Sequence, residues 1–110
     1  MKRESDDIPV ACSLSDAELR GREATLLAQF KSVVIATEEL HDGYIFRIPG
    51  DNKSIAIAAA LIVAERECCP FLTFTLAVPP NMGPVDVRVT GPAGAKDFLR
   101  TVLRKSEHSF

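Results

Sequence analysis

Leu72-Thr73-Phe74-Thr75-Leu76-Ala77-Val78 and, beyond the break Pro79-Pro80-Asn81-Met82-Gly83-Pro84, the stretch Val85-Asp86-Val87-Arg88-Val89 decide how this chain folds. In both, apolar residues recur at every second position. Successive side chains of a strand point to opposite faces, so Leu72, Phe74, Leu76 and Val78 share one face, and Val85, Val87 and Val89 share another. Thr73, Thr75, Asp86 and Arg88 point the other way. An antiparallel pair with one face on a core and one in water has this pattern.

Working outward, Val33-Val34-Ile35-Ala36-Thr37 is β-branched and reads as a strand, as does Tyr44-Ile45-Phe46-Arg47-Ile48. His41-Asp42-Gly43 between them is a hairpin turn in which Gly can take positive φ. Three helical segments complete the chain. Ser15 and Glu18 have capping-box spacing and Leu14 and Leu19 that of a hydrophobic staple. The helix they start puts Leu19, Leu26, Leu27 and Phe30 on one face and turns Arg20, Arg22 and Glu23 away. A second helix, from about Lys53 to Glu67, is apolar around almost its whole circumference at first, which marks it as the most buried. A third starts near Pro92 and presents Ala95, Phe98, Leu99, Val102 and Leu103. The expected fold is α+β, in the order α-β-β-α-β-β-α: a single four-stranded antiparallel sheet of two hairpins, with helices on one face. Residues 1–9 read as a flexible leader, 10–104 as a single domain and 105–110 as a frayed tail.

The bulk properties exclude several functions. A chain of 110 residues can bury a core without disulfides or a structural metal. A formal charge of -2 gives no global attraction to nucleic acid or anionic lipid. The charged start Met1-Lys2-Arg3-Glu4-Ser5-Asp6-Asp7 shows no signal peptide, and no apolar run is long enough for a membrane helix. The expected location is cytoplasmic, where thiols stay reduced, so three cysteines do not read as a disulfide framework.

The chemistry concentrates in Glu65-Arg66-Glu67-Cys68-Cys69-Pro70-Phe71. A nucleophilic cysteine needs a helix N-terminus or nearby cations to stabilise its thiolate. These cysteines stand at a helix C-terminus, where the dipole is negative, beside Glu65 and Glu67, and Arg66 offsets this only partly. Their thiol pKa values should rise, which disfavours a nucleophile. The same features favour a cation that deprotonates the thiols itself, and thiolates select soft ions such as zinc, mercury or arsenite-like species. Glu65 precedes the pair by one helical turn, on the same side, and can complete a shell or act as an acid. Adjacent cysteines on a regular helix diverge by ~100°, so sharing an ion requires unwinding at Cys69, which Pro70 promotes. Cys12, in Ile8-Pro9-Val10-Ala11-Cys12, is the candidate third sulfur.

Two readings stand beside the metal site. Buried cysteine often acts as a small hydrophobe, so the pair can fill core, and it can also form a vicinal disulfide. His41, His108 and Met82 are weaker ligand candidates, and Asp42 and Asp51 have sufficient turn and cap explanations.

The run Glu65-x-x-Cys68-Cys69-Pro70-Phe71, with Ile8-Pro9-Val10-Ala11-Cys12 before it and Thr73-Phe74-x-Leu76 after it, resembles a family of small bacterial proteins. The family also occurs as a domain appended to MerR-type regulators in heavy-metal resistance settings. The resemblance spans about Ile8 to Leu103. It implies a soft-metal theme and points to Glu65, Cys68, Cys69 and Cys12. This chain lacks a regulator's helix-turn-helix, which leaves sensing, sequestration or delivery. The expected function is therefore thiol-based binding of a soft metal or metalloid. Its rivals are a structural or dimerising module with core cysteines, and cleavage of a carbon–metal bond with Glu65 as proton donor. The last requires an apolar pocket beside Glu65 and a carboxyl pKa raised by burial.

Overall fold

The computed structural model describes residues 17–108. Helix α1 (Ala17–Val33) leads into strands β1 (Ala36–Leu40) and β2 (Gly43–Ile48). Helix α2 (Asn52–Cys68), strands β3 (Thr73–Ala77) and β4 (Val85–Thr90), and helix α3 (Ala95–His108) follow. The expected α+β order holds. The sheet is antiparallel throughout, in the order β1-β2-β4-β3. The capping box, the staple and Cys12 lie outside the described residues.

Alternation dictates the layers. Val85, Val87 and Val89 of β4 join Tyr44, Phe46 and Ile48 of β2 in the core with Phe30 of α1 and Ala58 and Leu61 of α2. Leu99 and Leu103 of α3 pack against this cluster. Thr73, Thr75 and Arg88 are exposed on the opposite face. There Arg47 and Asp86, partners across β2 and β4, form an ion pair of 2.9 Å.

Three local expectations are corrected. The first strand begins later than Val33, because α1 runs through that residue and β1 pairs Ala36–Leu40 with β2. Leu40 opposite Gly43 closes a tight turn on His41 and Asp42, and that closure sets the register. Gly43 is not among the positive-φ residues. It is glycine because a Cβ there would collide with the Val89 carbonyl of the neighbouring strand. Finally, α2 is buried along one stripe, Ser54, Ala58, Leu61, Glu65 and Cys68, at helical spacing. Val63 on its other side is 59% exposed. The alanines around α2 made it look apolar all round, but they cover little area and tolerate water.

Helix α2 is anchored by chemistry visible in its first turn. Asp51 is extended (φ -83°, ψ 161°) and caps the helix, accepting from the Ser54 amide at 3.3 Å and from Ser54 Oγ at 2.6 Å. At the other end Pro70 stops it. Cys69 leaves helical geometry (φ -125°, ψ 71°), although its N–H still donates to the Glu65 carbonyl at 2.6 Å. Among the described residues, no helix is long and apolar enough to cross a membrane.

Candidate metal centre

The end of α2 turns into β3 beside the start of α3, and the two cysteines fall in this corner. Cys68 and Cys69 are each 3% exposed and form a second apolar cluster with Phe71 and Ala95. Leu72 and Phe98 close it, with Phe71 and Phe98 edge to face at 5.3 Å. Gly91 makes the corner possible, since a Cβ there would lie 2.6 Å from the Ala95 methyl.

The unwinding at Cys69 has the expected consequence. Ligand atoms of Glu65, Cys68 and Cys69 all lie within 4.8 Å of one another, and all three residues are buried. Cys69 Sγ donates to Glu65 Oε2 at 3.5 Å. The other carboxyl oxygen, Oε1, is buried without a hydrogen-bond partner. Glu65 is 8% exposed. A buried, unpartnered polar atom is rare in folded proteins and calls for an explanation such as an ion.

The electrostatics follow from burial. Loss of solvent pushes the Glu65 carboxyl up to about 8, and the carboxylate of Glu23 on α1 adds to this. In neutral form Glu65 can donate to Glu23. Burial also raises the Cys69 thiol far above its ordinary range, helped by the neighbouring Glu65 and Glu23. The expected direction for the thiol is thus borne out, with burial rather than the helix terminus as its main cause. Cys69 is a poor free nucleophile and keeps its proton until something stronger displaces it.

Glu23 is the residue that sequence reasoning misplaced. It was turned to solvent with Arg20 and Arg22, yet it is half-buried and acts on Glu65 and Cys69. The signal was present: Glu23 lies one turn after Leu19 and one turn before Leu26 and Leu27, on the apolar face.

The expectation of reduced thiols is corrected at one position. Cys68 is disulfide-bonded, whereas Cys69 is a free buried thiol. A deeply buried sulfur is shielded from the exchange with soluble thiols that keeps exposed cysteines reduced. In this state Cys68 offers no thiolate, and reduction is the step that makes it a ligand.

Of the weaker candidates, Met82 and His41 do not join the group, and the His108 side chain lies outside the described residues. Met82 is 70% exposed in the β3–β4 loop, with φ 60°, and His41 is exposed in the first turn. An apolar cavity of about 50 Å³ adjoins the site, bounded by Leu27, Phe46, Leu61, Phe74 and Leu99 among others, with Glu65 as its ionisable lining residue. Geometry alone therefore describes a two-sulfur, one-carboxylate corner beside an apolar hollow. No protein family, no curated protein and no solved structure matches this chain.

Proposed function

We propose that this protein binds a thiophilic metal or metalloid ion through Cys68, Cys69 and Glu65, with Cys12 as a further sulfur ligand, in sensing, sequestration or delivery. The observation that carries the reading is the buried group of Glu65, Cys68 and Cys69, whose ligand atoms all lie within 4.8 Å of one another. Core filling accounts for two buried sulfurs, which behave as small hydrophobes. It does not account for a carboxyl group among them with one oxygen unpaired, because burying a polar group without a hydrogen bond is unfavourable. A cation relieves both problems: it pairs with the carboxylate and displaces the thiol protons. The heavy-metal setting of the family that the Glu-x-x-Cys-Cys-Pro-Phe run resembles agrees with this choice of ion.

The test is uptake of zinc, mercury or arsenite by reduced protein, followed by intact-mass spectrometry. Stoichiometric retention that disappears in Cys68→Ser/Cys69→Ser is expected. Equal retention by that variant, or none by the parent, overturns the reading.

A second reading, cleavage of a carbon–metal bond, set two conditions on Glu65, and both have a physical counterpart here. The carboxyl lines an apolar cavity, and burial holds it protonated up to about pH 8. Turnover of an organomercurial to hydrocarbon and inorganic mercury separates cleavage from binding.

A further inference from the structure

The whole chain has three cysteines, Cys12, Cys68 and Cys69. Cys68 is disulfide-bonded, and Cys69, the other cysteine among the described residues, is free. Within one chain, counting leaves the sulfur of Cys12 as the second half of that bond. The bond is also made by a sulfur that belongs to the candidate metal centre. Cys68 Sγ lies within 4.8 Å of the ligand atoms of Cys69 and Glu65. The vicinal bond open to two adjacent cysteines is not the one formed, and Cys69 Sγ instead donates to Glu65 Oε2 at 3.5 Å.

An ion and this bond compete for the same sulfur. A soft cation binds thiolate, whereas a disulfide sulfur has neither negative charge nor a proton to give up. Oxidised, the described centre offers the Cys69 thiol and the Glu65 carboxyl group, fewer than the three or four protein ligands that hold zinc. Reduced, the chain can supply Cys12, Cys68, Cys69 and Glu65, enough for a closed tetrahedral shell. We infer that a Cys12–Cys68 disulfide is a redox lock on the metal centre: its reduction opens the site to a soft ion, and its re-formation expels the ion. This rests on the metal-binding reading above and adds the regulation of that site.

Both steps balance with co-reactants of one class, small thiols and disulfides. In opening, a dithiol attacks through a mixed disulfide. The Cys12–Cys68 S–S bond breaks, an S–S bond forms in the reductant, and its two hydrogens end on the protein sulfurs. A divalent ion then displaces the three thiol protons without any change of oxidation state. In closing, a small disulfide takes two electrons from the bound thiolates of Cys12 and Cys68. Their S–S bond forms, the oxidant leaves as two thiolates, Cys69 regains a proton and the divalent ion is released.

The experiment takes full-length protein in two states, oxidised with glutathione disulfide and reduced with a phosphine that is then removed. After denaturation, free thiols are alkylated and the peptides mapped without reduction. The oxidised state should show Cys12 joined to Cys68 and Cys69 alkylated. Chelator competition for zinc and intact mass for arsenite should show the reduced state binding more tightly, by ~100-fold or more. Glutathione disulfide added to zinc-loaded protein should release one zinc for each Cys12–Cys68 bond formed. Without ion, oxidation should raise the urea midpoint, because the bond closes a long loop in the unfolded chain. Cys12→Ser should lose both the midpoint shift and the oxidant-driven release. A Cys68–Cys69 link, a glutathione adduct on Cys68, a covalent dimer through Cys68, or equal ion affinity in the two states overturns this inference and leaves the metal reading intact. Failure of the reduced protein to hold zinc, mercury or arsenite overturns the metal reading and the lock with it.

Discussion

The two ends of α2 bury one polar side chain each, on the same stripe, and treat it in opposite ways. At the start, Ser54 is 3% exposed and fully engaged by the Asp51 cap. At the finish, Glu65 is 8% exposed and keeps one carboxyl oxygen unpaired beside two sulfurs. A chain that needs only a stable helix satisfies its buried polar groups from within, as the first end does. The second end leaves its deficit where a ligand can answer it. The contrast separates structure from site inside one element.

The largest way to break this comparison is through the ligand. In the reduced protein Cys68→Ser/Cys69→Ser should abolish uptake of mercury or arsenite, a loss of ~100-fold or more, whereas Ser54→Ala should retain it. Equilibrium competition with a chromophoric chelator measures both. Equal loss in the two proteins would erase the distinction between the ends.

Next in size is pH. The Glu65 carboxyl, raised to about 8 from an ordinary 4.5, binds its proton more tightly in the folded than in the unfolded chain. Its stabilising contribution is complete below the ordinary value and is lost as pH rises through about 8. At ~1.4 kcal/mol per unit, urea unfolding of metal-free protein should show a decline on the order of 4 kcal/mol between pH 4.5 and 9. Glu65→Gln should flatten that decline, and bound metal should reverse it. Asp51 has the opposite sign: its hydrogen bonds to Ser54 hold its carboxyl low, so its contribution fades as pH falls through its lowered pKa.

Smaller again is the cap itself. Ser54→Ala removes a buried hydroxyl and its bond to Asp51, a loss of ~1 kcal/mol, with no change in the decline between pH 4.5 and 9 and a weaker fade at acid pH, where Asp51 loses the hydrogen bond that holds its carboxyl low. Smallest is Val63→Ser, on the watered side of α2, which should stay within ~0.5 kcal/mol of the parent by thermal melting.

Much of this was legible from residue order. The period-two pattern in 72–78 and 85–89 led directly to β3 and β4, because a strand with one wet face has no other way to arrange its side chains. Pro70 foretold the unwinding at Cys69, since the ring excludes helical geometry from the residue before it. The spacing of Glu65 and Cys69 foretold their contact. What escaped were facts of tertiary context. Nothing local says that Gly43 is crowded by Val89, which is distant in the chain and only adjacent once β2 and β4 pair. The face of Glu23 was readable from its register, but a charged residue on an apolar stripe was assumed to turn outward. The exposed side of α2 was hidden because alanine suits both core and surface. Cavities leave no mark in composition at all.

The hollow beside Glu65 also has a mechanical meaning. Space that no atom occupies counts toward the molecule's volume while it is folded and vanishes when the chain opens. A void of about 50 Å³ corresponds to ~30 mL/mol, comparable with the whole volume change by which hydrostatic pressure unfolds small proteins. The empty protein should therefore be soft to compression near the junction of α2, β3 and α3. A ligand that filled the hollow would remove that compressible space and stiffen the same region.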